Sequence, residues 1–184
     1  MKVTETKLKG CFIIEPVVFG DNRGWFMESF SKEKLEDAGI VFAGDLVQDN
    51  QSFSAKKGTL RGIHFQQDPY AQTKIVRCTK GSLFDVAVDL RKDSPTYMQW
   101  FGIVLSEENK KQLYVPRGFG HGFVTLEDNV EIQYKTDNYY NYEADGGIIY
   151  NDPQIGISWP VDVELTLSEK DMSLKKLSET EVDF

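Results

Sequence analysis

Histidine is scarce in this chain: His64 and His121 are the only two in 184 residues. Two imidazoles are too few to fill a metal's coordination shell without carboxylate or thiolate help. Cysteine also occurs twice, at Cys11 and Cys78, with no close spacing. That excludes a disulfide framework and a zinc knuckle, and it favours two reduced, buried thiols in a cytoplasmic protein. No window approaches the roughly 18 apolar residues of a membrane span. Nothing at the first residues reads as a basic segment followed by an apolar run. Positive charge is in deficit, 21 Lys and Arg against 29 Asp and Glu, for a formal net charge of -8. No global field therefore exists to draw a nucleic-acid backbone or an anionic membrane. A small phosphate pocket remains compatible with this balance.

What is present points to strands. With 40% hydrophobic and 12% aromatic content, the chain can bury one sizeable core, so a single domain over 1–184 is expected. Eight short β-branched or aromatic runs occupy 46–54, 59–65, 73–78, 82–90, 98–106, 112–116, 121–126 and 130–136. The connections "AKKG", "QDPYAQ", "TKGS", "RKDSP", "SEENK" and "EDN" carry turn residues. Only 31–39 and 167–179 look helical. Low-complexity tracts, linkers and repeats are absent. The pattern predicts an all-β antiparallel sandwich or barrel with a few short helices, one near the C-terminus.

Both histidines sit in glycine-bracketed strand runs, "GTLRGIHFQQD" and "YVPRGFGHGFVTL". Pro116, Gly118 and His121 follow the P-x-G-x-x-H pattern of the second motif of cupin barrels. A metal cupin also needs two histidines, and usually a glutamate, from an earlier pair of strands, and here His64 stands alone. A hairpin centred near Pro69 would set His64 and Lys74 opposite each other, about 5 Å apart between Cβ atoms. Arg61 lies three residues before His64, so strict alternation sends it to the other face, unless a bulge at Gly62 turns both inward. Core filling by either histidine, and solvated surface positions for Arg61 and Lys74, are the bland alternatives.

The order and spacing of "DNRGWFMESF", "VQDNQSFS", "GTLRGIHFQ", "TKIVRCTKGSLFDVAVDLRKDSPTY", "YVPRGFGHGF", "IQYKTDNYY", "GIIYNDPQIGISWP" and "LSEKD" weigh against those alternatives. Over about Lys7 to Leu177 the chain resembles the dTDP-4-dehydrorhamnose 3,5-epimerase family. The resemblance implies a metal-free cupin jelly roll, working as a homodimer without a cofactor on dTDP-4-dehydro-6-deoxy-glucose. It implies His64 as catalytic base, Tyr134 as proton donor, Lys74 beside the keto oxygen and Asp171 as the carboxylate that orients the base. It further implies substrate contacts from Arg23, Phe26 and Glu28, from Gln48, Asp49 and Asn50, and from Arg61, His121 and Lys170. Tyr140 falls where the family stacks an aromatic ring on thymine. One departure stands in "NYEADGG", where Glu143 or Asp145 must cover the family's acidic contact.

The implied chemistry suits these residue types. Hydrogens at C3 and C5 flank a C4 ketone, so removing either gives an enolate, and the ketone is its own electron sink. A neutral imidazole accepts a proton near neutral pH, a carboxylate fixes its tautomer, and an ammonium stabilises the oxyanion. Asp171 has a structural alternative, since "SEKD" from Ser168 is also a capping-box-like helix start. Three other functions share parts of the pattern: single-carbon epimerases or 3,4-ketoisomerases of related deoxysugar pathways, a non-catalytic nucleotide-sugar-binding cupin, and a metal-dependent oxygenase.

Overall fold

The computed structural model describes residues 1–184. Thirteen strands run in chain order as β1 (Lys2–Glu5), β2 (Phe12–Glu15), β3 (Val18–Asp21), β4 (Gly24–Met27), β5 (Gln48–Ser54), β6 (Leu60–Gln66), β7 (Lys74–Lys80), β8 (Ser82–Asp89), β9 (Trp100–Ser106), β10 (Gln112–Val115), β11 (Phe119–Thr125), β12 (Val130–Thr136) and β13 (Asp145–Gly147). Two helices accompany them, α1 (Lys32–Asp37) and α2 (Glu169–Ser173), with a 3-10 turn at Leu177–Glu179. A six-stranded sheet in the order β1-β2-β10-β7-β12-β5 faces a five-stranded sheet in the order β13-β6-β11-β8-β9. All named strand pairs are antiparallel, and β3 and β4 form a separate hairpin. This is the cupin-type jelly roll.

The core follows from strand alternation. Val76 and Cys78, Leu83 and Ala87, Leu113 and Val115, and Ile132 turn inward and meet Phe119, Phe123 and Leu105 between the sheets. The intervening residues of β6 and β8, among them Ile63, Phe65, Val86 and Val88, pack outward under the C-terminal segment through Ile148, Ile155, Leu177 and Val182. A smaller cluster, with Leu35, Ile40, Ile75 and Tyr114, seats α1 against the six-stranded sheet.

Each of the eight expected strands is present, displaced by at most two residues at either end. Helix α1 also lies where expected: Ser31 caps it by accepting from the Lys34 N–H, and Gly39, at φ +96, turns the chain out of it. The expected helix over 167–179 is corrected. It stops at Ser173, and Leu174 is already extended. The chain is drawn off the helical path because Lys175 O accepts from Ile149 N, Asp152 Oδ2 accepts from Leu177 N, and Leu177 is buried in the outer core.

The hairpin joining His64 to Lys74 is corrected too. β6 and β7 belong to different sheets: β11 and β13 occupy both edges of β6, while β10 and β12 occupy those of β7. The connection after Gln66 crosses from one sheet to the other, so His64 and Lys74 are not cross-strand partners.

Candidate active site

His64, Lys74 and Tyr134 nevertheless line one cavity of about 380 Å³, with Asn50, Ser52, Arg61, His121, Phe123, Ile132, Ser168, Lys170 and Asp171. The two sheets contribute opposite walls. β6 and β11 bring Arg61, His64 and His121, while β5, β7 and β12 bring Asn50, Lys74 and Tyr134. Strict alternation, which would send Arg61 to the other face, is broken by a bulge at Gly62. His121 pairs with His64 and Phe123 with Arg61, so three steps on β6 match two on β11. Only glycine fits at that point, where φ is +117 and a Cβ would lie 2.6 Å from Gly122 Cα and 2.7 Å from His121 O. The bulge puts Arg61 and His64 on the same cavity.

His64 keeps 29% of its side chain exposed, and its Nε2 lies 2.6 Å from Oδ1 of the buried Asp171. The ring nitrogen touches the carboxylate, although it is not aligned with the oxygen for a linear hydrogen bond. Burial pushes the Asp171 carboxyl up, but the contacts from His64, Ser168 Oγ and Gly62 N outweigh it and hold the group at about 2. Asp171 therefore stays anionic beside the ring. Ser168 also caps α2, its Oγ accepting from Asp171 N at 3.1 Å and donating to Asp171 Oδ2 at 2.6 Å. The capping role and the proximity to His64 coexist in one residue.

Across the cavity, desolvation lowers the Lys74 ammonium to about 8, against the opposing pull of Asp145 and Asp85 and with a smaller push from Lys170. Its Nζ lies 6.0 Å from the centroid of the Tyr134 ring. Desolvation raises the Tyr134 phenol, Arg61 opposing and Asp145 assisting, so the hydroxyl keeps its proton at neutral pH.

At the rim, Asp145 Oδ2 accepts from Tyr140 Oη at 2.9 Å and from Lys170 Nζ. Gln48 accepts from Tyr140 N and donates to Asn50. Glu143 is exposed and its side chain makes no hydrogen bond in this network, so of the two acids it is Asp145 that pairs with the cavity residue Lys170. Asp49 points to the outer face of the six-stranded sheet and pairs with Lys135 at 2.9 Å. Arg23, Phe26 and Glu28 are not brought in either. Arg23 and Phe26 lie on the β3–β4 hairpin, where Arg23 pairs with Asp21, and Glu28 just beyond it pairs with Lys34. Sequence reasoning missed Ser52, Ser168 as a cavity residue, and Asp85, which lies 2.9 Å from His121 Nε2. The signal for Asp85 was a carboxylate on the apolar face of "SLFDVAVDL".

No group of three or more His, Cys, Asp or Glu side chains is gathered as a metal ion would require. The cavity instead offers an imidazole–carboxylate pair, an ammonium and a phenol around a space open to solvent. A cupin barrel furnished this way is equipped for proton transfer at a carbon next to a carbonyl. The model of the dTDP-4-dehydrorhamnose 3,5-epimerase family matches residues 5–179. The enzyme of that name from Shigella flexneri is 51% identical over 176 residues, 96% of either chain. The solved dTDP-6-deoxy-D-glucose-3,5-epimerase of Legionella pneumophila Philadelphia 1, in complex with dTDP-4-keto-L-rhamnose, superposes with a TM-score of 0.92 at 42% identity, covering 98% of this chain and 94% of that one. A 3'-monoepimerase from Streptomyces bikiniensis, in complex with dTDP-quinovose, reaches 0.86 at 32%, covering 94% and 86%. The chain belongs to the dTDP-4-dehydrorhamnose 3,5-epimerase family.

Proposed function

We propose that this chain epimerises dTDP-4-dehydro-6-deoxy-α-D-glucose at C3 and C5 to dTDP-4-dehydro-β-L-rhamnose, by deprotonation to an enolate and reprotonation on the other face. The observation that carries the reading is the His64–Asp171 contact at 2.6 Å, in a cavity whose opposite wall holds Lys74 and Tyr134. His64 takes the proton, and the anionic Asp171 stabilises the imidazolium that results. Lys74 faces the C4 oxygen and stabilises its developing charge, a contribution of about 3–4 kcal/mol by analogy with the loss of one oxyanion donor. Tyr134 delivers a proton from the other side. Arg61 and Lys170 contact the diphosphate, Tyr140 stacks on the base, and His121, Gln48 and Asn50 bind the substrate.

Lys74 works as a cation in this scheme, and a lysine with a depressed value loses its proton earlier than a free one. Activity should therefore fall as pH rises through about 8. A kcat/KM profile that stays level well above that point would remove Lys74 from the role.

Two further parts of the reading concern the protein's setting. A homodimer is favoured by the β3–β4 hairpin, which exposes Phe19 at 63%, Trp25 at 58% and Phe26 at 68%. Such a surface is apolar enough to seek a partner, and a second copy could bring Arg23, Phe26 and Glu28 to the cavity that the single chain leaves without them. A cytoplasmic location accords with two unpaired, buried cysteines. No helix is long and apolar enough to cross a membrane.

The similarity to a 3'-monoepimerase favours one alternative, inversion at a single carbon. Incubation with dTDP-4-dehydro-6-deoxy-glucose in deuterated water, followed by NMR, separates the two. Deuterium should enter at both C3 and C5 with inversion at each. Exchange confined to one carbon identifies a single-carbon enzyme, and no exchange at either refutes the proposal.

A further inference from the structure

On β8 the side chains of Leu83, Asp85 and Ala87 alternate toward the space between the sheets. Leu83 and Ala87 belong to the central core, and Asp85 between them is 0% exposed. Alternation accounts for the direction but not for the charge. A carboxylate taken into an apolar interior destabilises the fold unless polar partners compensate. Asp85 has one such partner: Oδ1 lies 2.9 Å from His121 Nε2, while Oδ2 is buried with no hydrogen-bond partner. An uncharged residue of the same shape would be less costly at this place.

The neighbours indicate what the charge serves. Asp85 pairs in register with Phe123, which makes His121, two residues away on β11, its diagonal neighbour. His121 in turn pairs with His64. Two imidazole–carboxylate contacts therefore stand side by side, and the proton chemistry above uses only the one between His64 and Asp171. Lys74, from the opposite sheet, is within Coulombic reach of Asp85 and Asp145, with Lys170 as the opposing cation. Arg61, His64 and Tyr134 share its cavity. Its own strand neighbours, Val115 on β10 and Thr136 on β12, carry no charge.

We propose that Asp85 is a positioning residue of the epimerisation: its buried carboxylate fixes the His121 ring, on the cavity it shares with His64, with the hydrogen on Nε2. This rests on the activity proposed above. A carboxylate only accepts, so the His121 nitrogen facing it carries the hydrogen and Nδ1 is left for other contacts.

Asp85→Asn keeps the shape and removes the charge. Its kcat/KM should fall roughly tenfold to a hundredfold, because the His121 ring lines the cavity and loses the acceptor that fixes it. Affinity for dTDP should stay near that of the wild type. A variant that melts earlier but keeps the wild-type kcat/KM would show a purely structural residue and overturn the proposal. Nitrogen-15 NMR of the wild-type protein supplies a second test that needs neither turnover nor a folded variant at position 85. With two histidines in the chain, the signals that remain in His64→Ala are those of His121. Its Nε2 should carry hydrogen in every protonation state seen. A neutral ring protonated on Nδ1, or a mixture of tautomers, contradicts the assignment of Asp85 even if the enzyme proves active. Absence of turnover counts against the proposed function alone.

Discussion

Replacing His64 with alanine should abolish solvent exchange at both C3 and C5 while dTDP still binds. His64 is the cavity's available base: His121 is engaged by Asp85, and Lys74 is cationic below about 8. The loss should be at least the 10²- to 10⁴-fold usual for a positioned acid or base. Binding should survive, because the groups proposed to hold the diphosphate and the base, Arg61, Lys170 and Tyr140, make no hydrogen bond to the imidazole. Deuterium incorporation followed by NMR reads the first half of the expectation, and calorimetry with dTDP reads the second. Near-wild-type exchange at either carbon would mean that another group removes that proton.

Tyr134→Phe should uncouple exchange from inversion. The ring still packs against Lys74 and the cavity wall, and only the hydroxyl is missing. His64 can then still form the enolate, lose its proton to solvent and return a deuteron to the face from which it took the hydrogen. Deuterium should wash in with configuration retained, while inversion falls by about 10²- to 10⁴-fold. If both processes fall together to the level of His64→Ala, Tyr134 serves enolate formation or substrate placement instead, and the acid lies elsewhere.

How far the sequence discloses such a site depends on the physics behind each signal. Strands β5 to β12 were legible because each is a β-branched or aromatic run set in contrast to turn residues on its flanks. "KVTE", "FIIE", "VFGD" and "GWFM" are four residues each and carry no such contrast, so β1 to β4 went unseen. "DGG" has almost no strand preference of its own, and pairing with β6 imposes its conformation. Within the site, Arg61 and His64 were recoverable because Gly62 marks a bulge locally. The relation of His64 to Lys74 was not, because a seven-residue connection can fold back as a hairpin or cross to a second sheet, and local spacing does not decide between them. The same limit hid Asp85, whose partner lies two residues along a neighbouring strand. Asp171 read equally well as a cap and as a companion of His64, and proximity in space made it both.

Building the proposed base and the proposed acid on opposite sheets makes their separation a property of the barrel's thickness. Facing sheets stand about 10 Å apart, a spacing maintained by the side chains that fill the gap. Here those fillers include Val76 and Leu113 on one wall and Leu83 and Ala87 on the other. Their combined volume acts as a gauge block: it sets how far a sugar ring lying between the walls is from the imidazole on one side and from the phenol on the other. Trimming or enlarging a filler changes that gauge without touching any reacting group, so the rate of inversion is written partly into residues that never meet the substrate.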